Sequence, residues 1–105
     1  MARGINVFVG NGNVAGPVYY NNTEGNNDPA CSFVLIMDQI NGKKVRSTRT
    51  RINIFGDLVR ICEQKLRVGG YVTVKGELMN REKRKSGEEP QLITEVRGLD
   101  IVFVN

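Results

Sequence analysis

The pattern that most restricts the fold of this chain is a strict two-residue alternation in residues 49–56. With the period of a β-strand, Thr50, Ile52 and Ile54 fall on one face. The opposite face carries Arg49, Arg51, Asn53 and Phe55. Guanidinium groups, an amide and a ring on one exposed strip can contact the phosphates and base faces of a single nucleic-acid strand. The alternative is an ordinary amphipathic strand with a charged outer face and one exposed Phe.

The length and composition predict a single domain spanning residues 1–105, with 40% hydrophobic residues and a modest core. No apolar run is long enough to cross a bilayer and no secretory signal is present, so we expect a cytoplasmic protein without a membrane partner. The chain has no His, the commonest general base and metal ligand. Cys31 and Cys62 have no metal-ligand neighbours and are expected to be buried thiols. We expect no cofactor and no metal.

Basic residues are concentrated in two clusters, although the net charge is only +4. Five of the 15 Lys and Arg residues lie within residues 43–51, and four more lie within residues 81–85. Two separate clusters favour a polyanionic partner more strongly than the net charge does. Two solvated hairpin tips are the alternative interpretation.

Five β-rich segments are separated by turn signals. The first covers residues 5–9 and ends in GNGN at 10–13, which predicts a sharp bend or bulge. It resumes over 14–20 with an interruption at Gly16-Pro17, and residues 21–29 then predict a mobile loop. Residues 31–37 are apolar at nearly every position, which predicts a strand covered on both faces. Asn41-Gly42 predicts a hairpin turn into the strand that ends at Phe55. Residues 71–79 and 92–104 are the last two strands, with a charged loop at 81–90 and a bend at Gly98.

One helix is predicted between the third and fourth strands. Asp57 is the expected N-cap, and Gly69-Gly70 ends about three turns. The apolar stripe consists of Leu58, Ile61, Cys62 and Leu66. This order of elements predicts an all-β fold, a five-stranded Greek-key OB-fold barrel with one α-helix between strands 3 and 4. In such a barrel, the loops between strands 1 and 2 and between strands 4 and 5 flank a binding face built on strands 2 and 3. Both basic clusters then lie where a ligand strand would pass.

Short segments also resemble the bacterial and phage single-stranded DNA-binding protein (SSB) family, in order along nearly the whole chain. They are VFVGN at 7–11, VYY at 18–20, SFVL at 32–35, INIFG at 52–56, LRVGGYV at 66–72, VKGEL at 74–78 and TEV at 94–96. The helix exit and fourth strand are the most distinctive. The resemblance implies an OB-fold, cooperative and sequence-independent binding of single-stranded DNA, a homotetramer or dimer, and no catalysis.

The chain departs from this family at aromatic positions. The ring before the Gly that precedes the helix is kept as Phe55. Three other aromatic positions align with or near Arg49, Lys83 and Asn41. Tyr19 stands where many members have Arg, and Tyr20 matches. Because stacking contributes about 1–3 kcal/mol per base, we expect weaker binding that depends more on phosphate contacts and on salt.

Cellular members of the family carry a disordered tail with an acidic tip that recruits repair and replication proteins. Nothing up to Asn105 matches it, while Met1-Ala2 looks like a native start. We therefore expect either a C-terminal truncation or a short phage, plasmid or accessory form. Replication or recombination proteins are further candidate partners.

The candidate nucleic-acid-binding residues are Arg3, Tyr19, Tyr20, Lys43, Lys44, Arg46, Arg49, Arg51, Phe55, Tyr71, Arg81, Lys83, Arg84 and Lys85. The three Tyr residues have an alternative place at a subunit interface or barrel edge. We expect the other Phe residues, Phe8, Phe33 and Phe103, in the core. We expect Gly10, Gly56 and Gly76 at positions where the backbone requires glycine.

Three other functions compete with the binding of single-stranded DNA. The chain could be an accessory OB module that acts through protein contacts in a primosome or recombination complex. It could also bind single-stranded RNA. An enzyme is the least favoured class, because an OB-like nuclease needs clustered carboxylates and an Arg pair around a metal, and the acidic residues here are scattered.

Overall fold

A computed structural model describes residues 3–21, 28–84 and 86–104. The strands are β1 (Phe8–Asn21), β2 (Ala30–Asn41), β3 (Lys44–Phe55), β4 (Tyr71–Lys83) and β5 (Gln91–Val104), and helix α1 (Leu58–Lys65) joins β3 to β4. They form a closed barrel in the order β1-β2-β3-β5-β4. Neighbouring strands are antiparallel except β3 and β5, which are parallel. The predicted OB-fold barrel with a helix between strands 3 and 4 is confirmed.

The core fills the barrel with the inward residues of all five strands and closes against α1. Phe33 is fully buried, whereas Phe8 and Phe103 are partly buried and pack against the core. The inward faces of β3 and β5 contribute Ile52, Ile54, Val96 and Ile101. Burying a side chain of this size stabilises the fold by about 1.5–3 kcal/mol, so the barrel depends on this alternation.

Strand β1 is continuous, so the predicted end of a first strand at residues 10–13 is wrong. The strand pairs with β4 from Phe8 to Asn13 and with β2 from Asn13 to Asn21, and its register with β2 shifts between Ala15 and Tyr19, at the predicted Gly16-Pro17 interruption. The glycine-rich segment is where β1 changes partner and must approach other backbone closely. A Cβ on Gly12 would overlap the carbonyl group of Ile36, so glycine allows the approach.

Strand β2 has one buried face, which corrects the prediction that both faces are covered. Cys31, Phe33 and Leu35 are buried, while Val34 and Ile36, on the alternate face, are partly exposed. A strand in the wall of a barrel has one inward face. The apolar side chains on its outer face made this strand resemble a doubly buried one.

Helix α1 is shorter than predicted, and its buried face includes Val59 in place of Ile61. It has eight residues, ends at Lys65 and buries Val59 and Cys62, whereas Ile61 is 44% exposed. Leu66 is already extended, with φ −75° and ψ 127°, and its side chain is buried in the core. The predicted third turn is therefore replaced by an extended segment.

Asp57 is at the predicted N-cap position, but its side chain makes no capping hydrogen bond. Its backbone is helical, with φ −64° and ψ −26°, and not in the β region typical of a side-chain cap. Gly56 shapes the turn instead: its φ is 76°, and its N–H donates to the Pro29 carbonyl over 3.0 Å. Only glycine adopts this φ without strain, and the turn fixes where Phe55 leaves β3.

Both hairpins are more regular than predicted. The β2–β3 turn lies at residues 42–43, one position later than expected, and Asn41 pairs with Lys44 across it. The predicted loop at 81–90 is shorter, because β4 continues to Lys83 and β5 begins at Gln91. The predicted loop at 21–29 lies mostly outside the described residues, which omit 22–27.

Both cysteines are buried free thiols, as predicted. A hydrogen bond with Cys31, together with burial, raises the pKa of Cys62 above its usual range. The buried, protonated Cys62 thiol is a core group where α1 meets the barrel.

Candidate nucleic-acid interface

The outward side of β3 carries the row of residues predicted from the alternation. We call Arg49, Arg51, Asn53 and Phe55 the outer row. Ile52 and Ile54, which alternate with them, are completely buried. The outer row is about 20 Å long at the rise of a β-strand. The alternation therefore fixes which side of β3 can meet a ligand.

Phe55, at the end of the outer row, is partly covered by a cation. The ring is 41% exposed, and the guanidinium carbon of Arg97 lies 5.2 Å from its centroid. Such a pair is held by the attraction between the cation and the ring's quadrupole. Arg97 was not among the predicted site residues. Its position follows from the pairing of Asn53 with Arg97 across the parallel β3–β5 contact.

A cleft of about 140 Å³ opens beside the Phe55 ring. Its lining includes Phe55, Asn53, Ser32, Tyr19 and Tyr20. Rings and amide groups at one small cleft can stack on a base and hydrogen-bond its edge. The cleft thus brings two of the three predicted tyrosines to the retained ring.

Glu95 organises the middle of the outer row and was also missed by the sequence analysis. Its carboxylate accepts a 3.0 Å hydrogen bond from the Asn53 amide. It also forms an ion pair with Arg81 at 3.3 Å and lies 4.0 Å from Nε of Arg51. Nη1 of Arg51 in turn donates to the hydroxyl of Ser32 over 2.8 Å. Two of the predicted cations therefore share one carboxylate.

The β2–β3 arm, residues 38–49, is exposed at every position. It carries the four predicted cations Lys43, Lys44, Arg46 and Arg49. Lys44 and Arg46 line an open groove of about 270 Å³ on this arm. The ion pairs among the described residues involve none of these four side chains. Their charges are therefore available to a polyanion.

The β4–β5 arm, residues 80–92, carries the second basic cluster. Arg81, Lys83 and Arg84 are exposed on it, and Lys85 lies outside the described residues. Because β3 and β5 are parallel, their first residues lie at the same end of the barrel. The two arms therefore extend from the same end and flank the outer row.

The other predicted residues, three tyrosines and Arg3, lie outside the outer row and the two basic arms. Tyr19 is 58% exposed next to Ser32, on the outer surface near the cleft. The hydroxyl of Tyr20 donates to the Cys62 carbonyl over 3.3 Å, and burial together with the nearby thiols raises its pKa to about 12. Tyr71 faces outward on the β1–β4–β5 side, away from Phe55. Arg3 is exposed ahead of β1.

Among the residues that the structure describes, no three His, Cys, Asp or Glu side chains are grouped closely enough to hold a metal ion. No helix of the described ranges is long and apolar enough to span a membrane.

Comparisons with known proteins agree with this geometry. No curated protein matches the sequence significantly. Among solved structures, the chain is similar to one titled "Plasmodium falciparum SSB complex with ssDNA", with a TM-score of 0.86 and 22% identity over 100% of this chain and 99% of that chain. The model of the single-strand binding protein family matches residues 5–104. This chain therefore belongs to the single-strand binding protein family.

Proposed function

We propose that this single-stranded DNA-binding protein holds its ligand along the outer row of β3, without sequence preference. One observation carries the proposal: the row leads from two exposed basic arms to a ring beside a cleft. Cations contact phosphates, and a ring stacks on any base, so neither contact needs a particular sequence. The strand would run from the arms, past Arg51 and Asn53, to Phe55 and Tyr19.

Phosphate contacts dominate this proposed mode of binding. Of the four aromatic positions compared with the family, Phe55 is the one that keeps a ring, whereas Arg49 and Lys83 offer charge. With about six phosphate contacts, log K falls with log salt with a slope of roughly −4. Arg49 and Arg97 can also stack their planes on bases, which offsets part of the missing ring contact.

A salt titration of labelled oligo-dT tests this proposal. Binding should weaken steeply between about 50 and 200 mM salt, as expected for several released counterions. A nearly flat salt response would contradict the phosphate mechanism. Competition with oligo-U and with mixed-sequence DNA of equal length checks the preference for DNA and the lack of sequence preference. A preference for oligo-U would support RNA as the ligand instead.

We also propose that the protein is a homo-oligomer, a dimer or a tetramer. The side of the barrel opposite the β2–β3 face exposes several apolar residues in adjacent strands, namely Val9, Tyr71, Val102 and Val104. Neighbouring apolar side chains on an outer sheet face are typical of a protein interface. Light scattering of the protein alone and saturated with oligo-dT gives the mass and stoichiometry. A monomer mass in both states would contradict the oligomer.

The proposed biological role is to cover and protect single strands during replication, recombination or repair in the cytoplasm, with proteins of those processes as partners. The role is binding without catalysis. A labelled single strand incubated with protein and a divalent metal should therefore stay intact, and its cleavage would overturn this part of the proposal.

A further inference from the structure

Glu95 is the one buried charged side chain in the ranges that the structure describes, with an exposure of 4%. Its carboxylate lies under the outer row, between β3 and β4. Both oxygens are used: Oε1 accepts from Asn53, and Oε2 pairs with Arg81 at 3.3 Å and faces Nε of Arg51 at 4.0 Å. This acidic group therefore sits in the face that is proposed to bind a polyanion.

The two arginines cannot leave this carboxylate without cost. A buried carboxylate that loses its partners is strongly destabilised, because water cannot replace them. Arg51 also uses Nη1 to donate to Ser32, so two sides of its guanidinium group are held. The Arg51 guanidinium group is thus fixed against the sheet, and that of Arg81 is held by one ion pair. Their remaining N–H groups and their planes are free for a ligand.

The carboxylate also lowers the charge of the face. Two guanidinium groups and one carboxylate carry a net charge of +1, half of what the arginines alone would carry. We propose that Glu95 is a positioning and specificity-determining residue, which fixes Arg51 and Arg81 and lowers the charge of the face so that it favours single strands over duplex. This inference rests on the proposed function.

Removing the Glu95 charge should affect duplex and single-stranded DNA differently because the two ligands differ in charge density. Duplex DNA carries one negative charge per about 1.7 Å of axis, and its bases are not available for stacking. A single strand gains part of its affinity from stacking on rings such as Phe55. One extra positive charge on the face therefore increases affinity for duplex more than for a single strand.

The test compares Glu95→Gln with Asp100→Asn. Gln keeps an oxygen that can accept from Asn53 and removes the charge. Asp100 is exposed on β5 beyond the part that pairs with β3, and Asn would keep the Oδ1 acceptor for the N–H of Ile101, 2.9 Å away. Both variants raise the net charge by one, but only one changes the ligand face.

Binding of oligo-dT and of a duplex of equal length is measured across a salt series. In Glu95→Gln the salt slope should steepen by about 0.7 for the single strand and by about 0.9 for the duplex. Because these slope changes differ by about 0.2, the preference for the single strand should be about twofold lower than in the wild type at about 50 mM salt. Asp100→Asn should leave the slopes and the preference as in the wild type. An unchanged preference in a folded Glu95→Gln variant would overturn the inference.

Arg81→Gln keeps the inference testable if Glu95→Gln does not fold. Its side chain is 55% exposed, so the substitution removes little buried surface, and the Gln amide keeps N–H groups that can donate to the Glu95 carboxylate. Arg81→Gln should flatten the salt slope and raise the preference for the single strand. The double variant with Arg81→Gln and Glu95→Gln restores the net charge of +1 on the face, so its salt slope and its preference should return toward those of the wild type. If Arg81→Gln leaves both quantities unchanged, the inference is wrong. If wild-type protein does not bind oligo-dT, the proposed function fails instead.

Discussion

The guanidinium group of Arg97 lies over the ring of Phe55, with 5.2 Å between its carbon and the ring centroid. The cation occupies one face of the ring and leaves the rest to a cleft that also borders Tyr19. A base that stacked on the ring in the cleft would therefore lie close to a positive charge. In the proposed binding mode, Arg97 holds the ring in place and adds positive charge next to the strand.

Replacing Phe55 with Ala should weaken the binding of oligo-dT by about 1–3 kcal/mol, or roughly 5- to 150-fold, because one stacking contact is lost. The loss should persist at high salt, where phosphate contacts are screened. Ile61→Ala is the matched control, since Ile61 is similarly exposed, at 44%, but lies on α1, outside the proposed binding row. Equal losses in the two variants would contradict a stacking role for Phe55.

Replacing Arg49 with Ala should reduce the salt slope of oligo-dT binding by about 0.7, the contribution of one phosphate contact to a single strand. Arg49 is exposed on the outer row, and none of the ion pairs within the described ranges includes it. Arg60→Ala removes an exposed charge from α1 and serves as the control. If both variants keep the wild-type slope, Arg49 does not contact phosphate.

Tyr20 should make the stability of the fold fall at high pH. Burial, with the nearby thiols, raises its pKa from 10.0 to about 12 in the folded protein, so the folded state binds its proton more tightly. This contribution is fully present below pH 10 and is lost as the pH rises toward 12. Chemical unfolding at pH 8 and pH 11 should show a smaller decrease in Tyr20→Phe than in the wild type.

The hydrogen bond from Tyr20 to the Cys62 carbonyl gives this prediction a control. At pH 8, Tyr20→Phe should lose about 0.5–1.5 kcal/mol of unfolding free energy because that bond is removed. Tyr19→Phe, next in sequence and exposed, should behave as the wild type at both pH values. Identical pH dependence in Tyr20→Phe and wild type would show that another group is responsible.

Replacing Gly76 with Ala should destabilise the barrel by about 1–3 kcal/mol or more. A Cβ at this position would overlap the carbonyl oxygen of Arg97, where β4 and β5 change register. Gly4→Ala, with no atom within 4 Å of the added carbon, should melt at the wild-type temperature. Thermal unfolding measures both, and an unchanged melting temperature for Gly76→Ala would contradict the close approach.

The sequence was most informative where neighbouring residues determine the structure. The two-residue alternation around Ile52 and Ile54 correctly predicted the face of β3, because side-chain direction in a strand depends on local geometry. Gly42 likewise marked the β2–β3 turn to within one residue. The position of the helix followed from its apolar stripe, although the stripe gave the wrong length and included Ile61.

Features that depend on distant segments were missed. The change of partner in β1 depends on how closely Gly12 approaches Ile36, which no local pattern records. Glu95 and Arg97 are ordinary charged residues in the sequence, and only the parallel pairing of β5 with β3 brings them to the outer row. Alternation around the buried Val96 does place both on the outer face, so it could have marked them as candidates once that pairing was known.

Because the β2–β3 arm is exposed, its residues can affect ligand affinity with little effect on the stability of the fold. Every residue from 38 to 49 is exposed, so substitutions there remove little buried surface and have small effects on folding. The same residues carry four of the cations proposed to meet the ligand. Changes in affinity can therefore accumulate in the arm without a loss of stability, and an engineer could retune this protein there while leaving the barrel untouched.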